Sequence, residues 1–154
     1  CLSWFIAFNS FWLCVIINIF KKMITNEIIK IASNTKNVGL TNRYSFKTSL
    51  KNSLCGDKIR LELTIKNCKI SQMKYETEAC VYCEASASLL AKKIKNLNIN
   101  IILKELNILK NIVKNDKIAF PKNFKDFKVL IKKKNLGRIN CINLPLDAVL
   151  KALK

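Results

Sequence analysis

The chain has 154 residues, half of them hydrophobic, with 28 Lys plus Arg against 10 Asp plus Glu and a formal net charge of +18. That is chain enough for one domain with a real core but not for two, and it is too apolar to be disordered throughout. Histidine is absent, so no Ser–His catalytic arrangement exists, Ser86 and Ser88 included.

Residues 1–20 carry no charge and are followed at once by Lys21 and Lys22. Two readings of residues 1–22 follow. An apolar run of this length can anchor a protein in a bilayer, with the lysines on the cytoplasmic side. The favoured expectation is that it is an artefactual extension, upstream sequence translated in error, ahead of a domain opening at Met23. A secretory signal fits poorly, because no basic region precedes the apolar run and no small-residue cleavage site follows it.

From Met23 onward the pattern predicts an α+β domain over 23–154. Thr25 is expected to cap a short helix reaching about Ser33, with Glu27 in its first turn and Ile24, Ile28 and Ile31 on its apolar face. A loop containing Gly39 follows, then a strand over Arg43 to Leu50. Over Lys58 to Lys66, Ile59, Leu61, Leu63 and Ile65 alternate with polar residues, the period of a half-buried strand. Asn67 marks a tight turn, and Cys68 to Thr77 returns as the hairpin partner, with a phase shift between Ile70 and Met73 that predicts a bulge.

Beyond Cys80 the periodicity becomes helical. Ser86, Leu89, Leu90 and Ile94 share one side, and Ile102, Leu106, Leu109 and Val113 form a second stripe. A lysine-rich connection with Pro121 leads to an expected helix over Phe124 to Lys134. The last helix is expected from Leu144, with Pro145 in its first turn, where the lost N–H is harmless. The architecture is a three-stranded antiparallel sheet covered by several helices.

Seven cysteines, odd in number and widely spaced, suit reduced thiols better than a disulfide framework. Three of them, Cys55, Cys80 and Cys141, sit where one element is expected to give way to the next. With the carboxylate of Asp57 they could form a four-coordinate site for zinc or iron–sulfur chemistry. Helix N-termini after Cys80 and Cys141 would favour their thiolates, and Gly56 would allow a tight turn and keep bulk away from a metal. Cys83 completes a C-x-x-C spacing with Cys80 but is read first as a small packed thiol, and second as a spare ligand or redox partner. Cys68 is read as a strand residue, and Cys1 and Cys14 share the two readings of their segment. The basic charge could serve a polyanion. Arginine is confined to Arg43, Arg60 and Arg138, so a nucleic-acid-binding module with structural zinc ranks last. The run Lys132 to Lys134 reads as a solvated helix end, with docking to an acidic partner as its functional alternative.

Three separated motifs together resemble the IscU/SufU/NifU N-terminal family of iron–sulfur assembly proteins. They are Cys55-Gly56-Asp57-Lys58-Ile59-Arg60-Leu61, then Glu78-Ala79-Cys80 followed by Ala85-Ser86-Ala87-Ser88, and Arg138-Ile139-Asn140-Cys141 followed by Leu144 and Ala148. Asn26-Glu27-Ile28 also resembles the family's first helix. The resemblance implies that Cys55, Asp57, Cys80 and Cys141 bind a transient iron–sulfur cluster or a zinc ion, with Cys55 and Cys141 as candidate persulfide acceptors. It implies a cytoplasmic protein that takes sulfur from a cysteine desulfurase and passes sulfur or cluster to downstream carriers. Such a protein is a scaffold rather than an enzyme; the alternative is a zinc-dependent sulfurtransferase. The 61-residue step from Cys80 to Cys141, and Asn140 in place of a histidine, resemble the SufU branch more than IscU.

Overall fold

In the computed structural model, residues 25–112 and 118–154 are described. Residues 1–22, with Cys1 and Cys14, lie outside this set, as do Met23, Ile24 and Val113. Helix α1 spans Asn26–Ala32, and strands β1 (Phe46–Lys51), β2 (Lys58–Lys66) and β3 (Lys69–Glu78) follow. Helices α2 (Val81–Lys93) and α3 (Ile99–Ile112) come next. Two 3-10 stretches, Lys122–Val129 and Lys133–Arg138, lead into α4 (Ile139–Ala152). No helix among the described residues is long and apolar enough to cross a membrane.

The strands form one antiparallel sheet in the order β1-β2-β3. Alternation in β2 buries Ile59, Leu61 and Leu63 completely. Leu61 pairs with Tyr75 and Leu63 with Met73, so one sheet face presents a continuous apolar surface. Pairing slips from Thr64↔Gln72 to Ile65↔Ile70, which leaves Ser71 as the extra residue of a bulge. Phe46–Lys51 replaces the expected Arg43 to Leu50 strand. Cys68 is not in a strand: Asn67 and Cys68 have φ of 50° and 58° and form the two-residue turn that suits the twist of a hairpin.

Helix α2 packs against α1 and α4 and lies over the sheet. Its small residues Ala85, Ser86 and Ala87 are wholly buried alongside Leu90, so it is enclosed on several sides rather than along one stripe. The Ser86 hydroxyl donates to the Ile142 carbonyl at 2.7 Å, joining α2 to α4. Small residues let the two backbones come close enough for that bond.

Three further expectations are corrected. Thr25 occupies the N-cap position of α1, but its hydroxyl makes no cap bond and is buried without a partner. Phe124 to Lys134 is not one helix, because Phe124 takes a non-helical φ/ψ and separate 3-10 turns form. Helix α4 starts at Ile139 rather than Leu144, which places Pro145 inside the helix and Cys141 within its first turn. Pro145 survives there at the cost of one backbone bond: it has no N–H to donate to the Cys141 carbonyl four residues back.

Candidate metal centre

The centre lies at the end of the sheet where the β1–β2 connection meets the start of α2. Residues 52–57 close on themselves: the Asn52 N–H donates to the Asp57 carbonyl (2.8 Å), and the Gly56 N–H to the Asn52 carbonyl (2.9 Å). The Leu54 N–H donates to the Asn52 side-chain oxygen at 3.0 Å. Gly56 has φ +78°, a conformation that glycine adopts without strain. A Cβ there would meet nothing within 4 Å, so the demand is conformational, not the exclusion of bulk.

This turn delivers Cys55 and Asp57 to one point. Cys55 is exposed, whereas Asp57 and Cys141 are buried. The Cys141 thiol reaches across from α4, with Sγ 3.5 Å from that of Cys55. One ligand atom from each of Cys55, Asp57 and Cys141 lies within 4.8 Å of the others. Cys80, half-buried at the N-cap of α2, falls outside that trio, but its backbone N–H donates to Asp57 Oδ1 at 3.2 Å. Of the four expected ligands, three converge tightly and the fourth borders them.

The supports of this arrangement are not visible in the motifs. The Tyr82 hydroxyl, two residues past Cys80, donates to Asn135 Oδ1 at 3.3 Å, and Asn135 Nδ2 donates to the Leu130 carbonyl at 2.9 Å. Asn135 is 1% exposed. This buried tie fixes the start of α2 against the 3-10 segment that feeds Cys141 into α4. Sequence offered no sign of it, because a lone Asn in a lysine-rich stretch reads as a surface residue.

The electrostatics mark out the carboxylate. Burial opposes ionisation of Asp57, yet the thiols of Cys141, Cys80 and Cys55 and the Cys80 N–H outweigh it and hold the carboxyl below the usual range. Burial pushes the Cys141 thiol up, and Asp57 and the neighbouring cysteines add to that shift. Burial of Cys141 thus acts against the thiolate that the α4 N-terminus was expected to favour. Cys83 is wholly buried, and its thiol is also pushed up by burial, then by Asp57 and Cys80. A thiol so placed is packing material rather than a reactive group.

The donor set fits a cation. Asp57 Oδ2 is buried and has no hydrogen-bond partner, a costly state for an ionised oxygen unless something positive faces it. Two thiolates on one tetrahedral zinc stand about 3.8 Å apart, close to the 3.5 Å between Cys55 and Cys141. Two soft sulfurs and one carboxylate oxygen suit zinc or iron over magnesium or calcium.

Comparison with known proteins gives the same picture. The family described as NifU-like N terminal domain matches residues 23–153. The iron-sulfur cluster assembly scaffold protein IscU of Thermotoga maritima is 28% identical over 142 residues, covering 88% of this chain and 96% of that one. The zinc-dependent sulfurtransferase SufU of Bacillus subtilis is 28% identical over 121 residues, covering 78% and 82%. In three dimensions the chain is similar to the N-terminal NifU-like protein of Brucella abortus, with a TM-score of 0.75 at 19% identity, covering 83% of this chain and 90% of that one. A crystal structure from Fervidobacterium islandicum, assigned to scaffold assembly of iron–sulfur clusters for the SUF system, matches with a TM-score of 0.75 at 22% identity, covering 86% and 98%. At those identities the structures speak for the fold.

Proposed function

The chain belongs to the NifU-like N-terminal domain family, and from that premise we propose that it serves iron–sulfur cluster assembly, receiving sulfur at Cys55 beside a metal-binding group. The observation that carries this reading is the unpartnered, buried Asp57 Oδ2 set among thiols of two distant segments. Cys55, Asp57 and Cys141 would hold zinc or a nascent cluster, with Cys80 completing the set. A bound metal supplies positive charge that keeps the sulfurs as thiolates. The relatives named for scaffold and for sulfurtransferase work both support this reading.

Exposure separates the two candidate sulfur acceptors. Cys55 is exposed at the tip of its turn, and Cys141 is 3% exposed. A sulfur-donating protein, for which a cysteine desulfurase has the right chemistry, can therefore approach Cys55 directly. The Cys55 thiol gives its proton to water, and the thiolate attacks the outer sulfur of the donor's cysteine persulfide. A new S–S bond forms on Cys55 while the donor's S–S bond breaks and the donor leaves as thiolate. Electrons balance with no outside oxidant.

Anaerobic purification with metal and sulfide analysis tests the reading. Stoichiometric zinc, or iron with sulfide, is expected in the wild type, with loss in Cys55→Ser, Cys141→Ser and Asp57→Ala. Zinc with stimulation of a desulfurase marks a sulfurtransferase; iron and sulfide mark a scaffold. Metal content unchanged in all three variants would refute the site.

A further inference from the structure

Strand β3 keeps a main-chain gap on its outer edge. The Leu63 carbonyl accepts from the Ser45 N–H at 2.8 Å, so Leu63 turns its backbone toward β1. Its partner across the β2–β3 ladder, Met73, therefore turns its N–H and C=O off the sheet. Tyr75 and Ile70 turn their backbones outward in the same way, and both are covered. The Tyr75 N–H donates to the Asn37 carbonyl at 3.2 Å, and its carbonyl accepts from the Gly39 N–H at 2.9 Å. The Ile70 N–H donates to the Leu97 carbonyl at 3.0 Å, and its carbonyl accepts from the Asn96 N–H at 2.7 Å. Met73 lies between those two covers and has no partner there among the described residues.

A notch of about 360 Å³ wraps this part of the edge, from Thr64 and Gln72 on one sheet face to Ala91 on the helix side. Lys36, Lys66, Lys74 and Lys95 line it, and no carboxylate does. None of the four lysines forms an ion pair with a described acidic residue. Lys74 Nζ donates to the Lys36 carbonyl at 3.0 Å, which pins its charge beside the Asn37 cover. Lysines along a strand edge ordinarily repel other strands. Here they repel a second copy of this chain, which carries +18, and attract an acidic partner.

We infer that an acidic, extended segment of a partner protein docks on this gap and pairs with β3 through Met73. Main-chain bonds to Met73 set its register, and its carboxylates meet the four lysines. An inorganic polyanion would take the N–H but leave the Met73 carbonyl bare, so a peptide is the better match. The two covers limit the contact to the stretch from Ser71 to Lys74, on the order of 13 Å of edge. The notch lies toward the hairpin end of β3, whereas Asp57 and Cys80 flank the opposite ends of β2 and β3. A partner tethered there leaves the metal centre uncovered, and its docking does not depend on the chemistry of that centre.

The test titrates the full chain into a short fluorescent peptide of alternating glutamate and threonine, read by anisotropy and by amide exchange. Binding is expected at physiological ionic strength, where distant charges are screened, and exchange should slow most at Met73. Lys36→Glu combined with Lys95→Glu should weaken it at least about tenfold, with the circular dichroism of the wild type retained. Lys125→Glu combined with Lys133→Glu makes the same change in net charge away from the notch and should weaken it far less. The inference is overturned if the peptide does not bind the wild type, or if both double variants lose the same affinity. Lysine-dependent binding with unchanged exchange at Met73 would overturn it too, leaving an anion site that inorganic polyphosphate fills more tightly than the peptide. Protection of Met73 in concentrated protein without peptide would assign the gap to a second copy instead.

Discussion

The sulfur atoms of Cys55 and Cys141 stand 3.5 Å apart although 86 positions separate them in the chain. One is exposed and the other buried. The pair therefore has an open side and a protected side, and its chemistry should depend on whether a metal holds the sulfurs.

With metal removed, the two thiols are placed to oxidise to one another. Hydrogen peroxide takes two electrons and both thiol protons, leaving a Cys55–Cys141 disulfide and two waters. Non-reducing peptide mapping should find this linkage in chelator-treated protein and little of it in zinc-loaded protein. Finding Cys80–Cys83 as the main product instead would show that the C-x-x-C pair, not this one, is the redox-active couple.

Cys83 should behave as core. Cys83→Ala is expected to cost about 1 kcal/mol through a small cavity. Cys83→Ser should cost about 2 kcal/mol, because it buries a hydroxyl in an apolar surrounding. Zinc stoichiometry should be unchanged in both. Urea unfolding and metal analysis check this, and lost zinc in Cys83→Ala would make Cys83 a ligand.

Glu62 is the least expected buried residue, 2% exposed on the sheet face away from the helices. Its carboxylate accepts from the Thr41 N–H at 2.8 Å, the Thr41 hydroxyl at 3.2 Å and the Asn42 N–H at 3.2 Å. Lys47 Nζ stands 3.7 Å away. One carboxylate thus holds down the loop before β1, where Asn42 takes φ 56°. Glu62→Ala should cost about 3 kcal/mol and Glu62→Gln about 1–2 kcal/mol, since charge-assisted bonds weaken to neutral ones. Faster amide exchange at residues 40–43 is expected in both, and unchanged exchange would show that the carboxylate is not the clamp.

Tyr75 gives the fold an alkaline limit. Burial raises its phenol above the ordinary value of 10.0, the Ser88 hydroxyl partly offsets that, and Glu84 and Cys83 add to it. The folded state therefore keeps this proton more tightly than the unfolded chain. Its contribution is complete below pH 10 and is lost as pH climbs through the raised value. Tyr75→Phe has no such proton, so its Tm should fall less than that of the wild type between about pH 9.5 and 11. Parallel Tm profiles would remove Tyr75 from the alkaline limit.

Strand β2 was legible because its alternation is nearly perfect and its apolar set faces one core. The bulge near Ser71 was legible for the same reason, since a phase slip in the pattern is a slip in the ladder. Helix α2 was harder, because Ala85, Ser86 and Ala87 carry no hydrophobic stripe and are buried by close helix approach rather than by their own apolarity. Pro145 misdirected the start of α4: proline is common in a first turn, and only packing against α2 and the sheet shows the helix running through it. Glu62, Tyr82 and Asn135 were invisible, since each is buried by a contact between distant segments. The meeting of Cys55 with Cys141 came from resemblance, never from spacing.

Pro145 has one more consequence. The turn that carries Cys141 is one backbone bond short within an otherwise continuous α4. Ser86 holds the Ile142 carbonyl one residue beyond Cys141, so a bond from α2 steadies the turn that Pro145 leaves short. Pro145→Ala restores the bond, and amide exchange at the neighbouring positions of α4 should then slow.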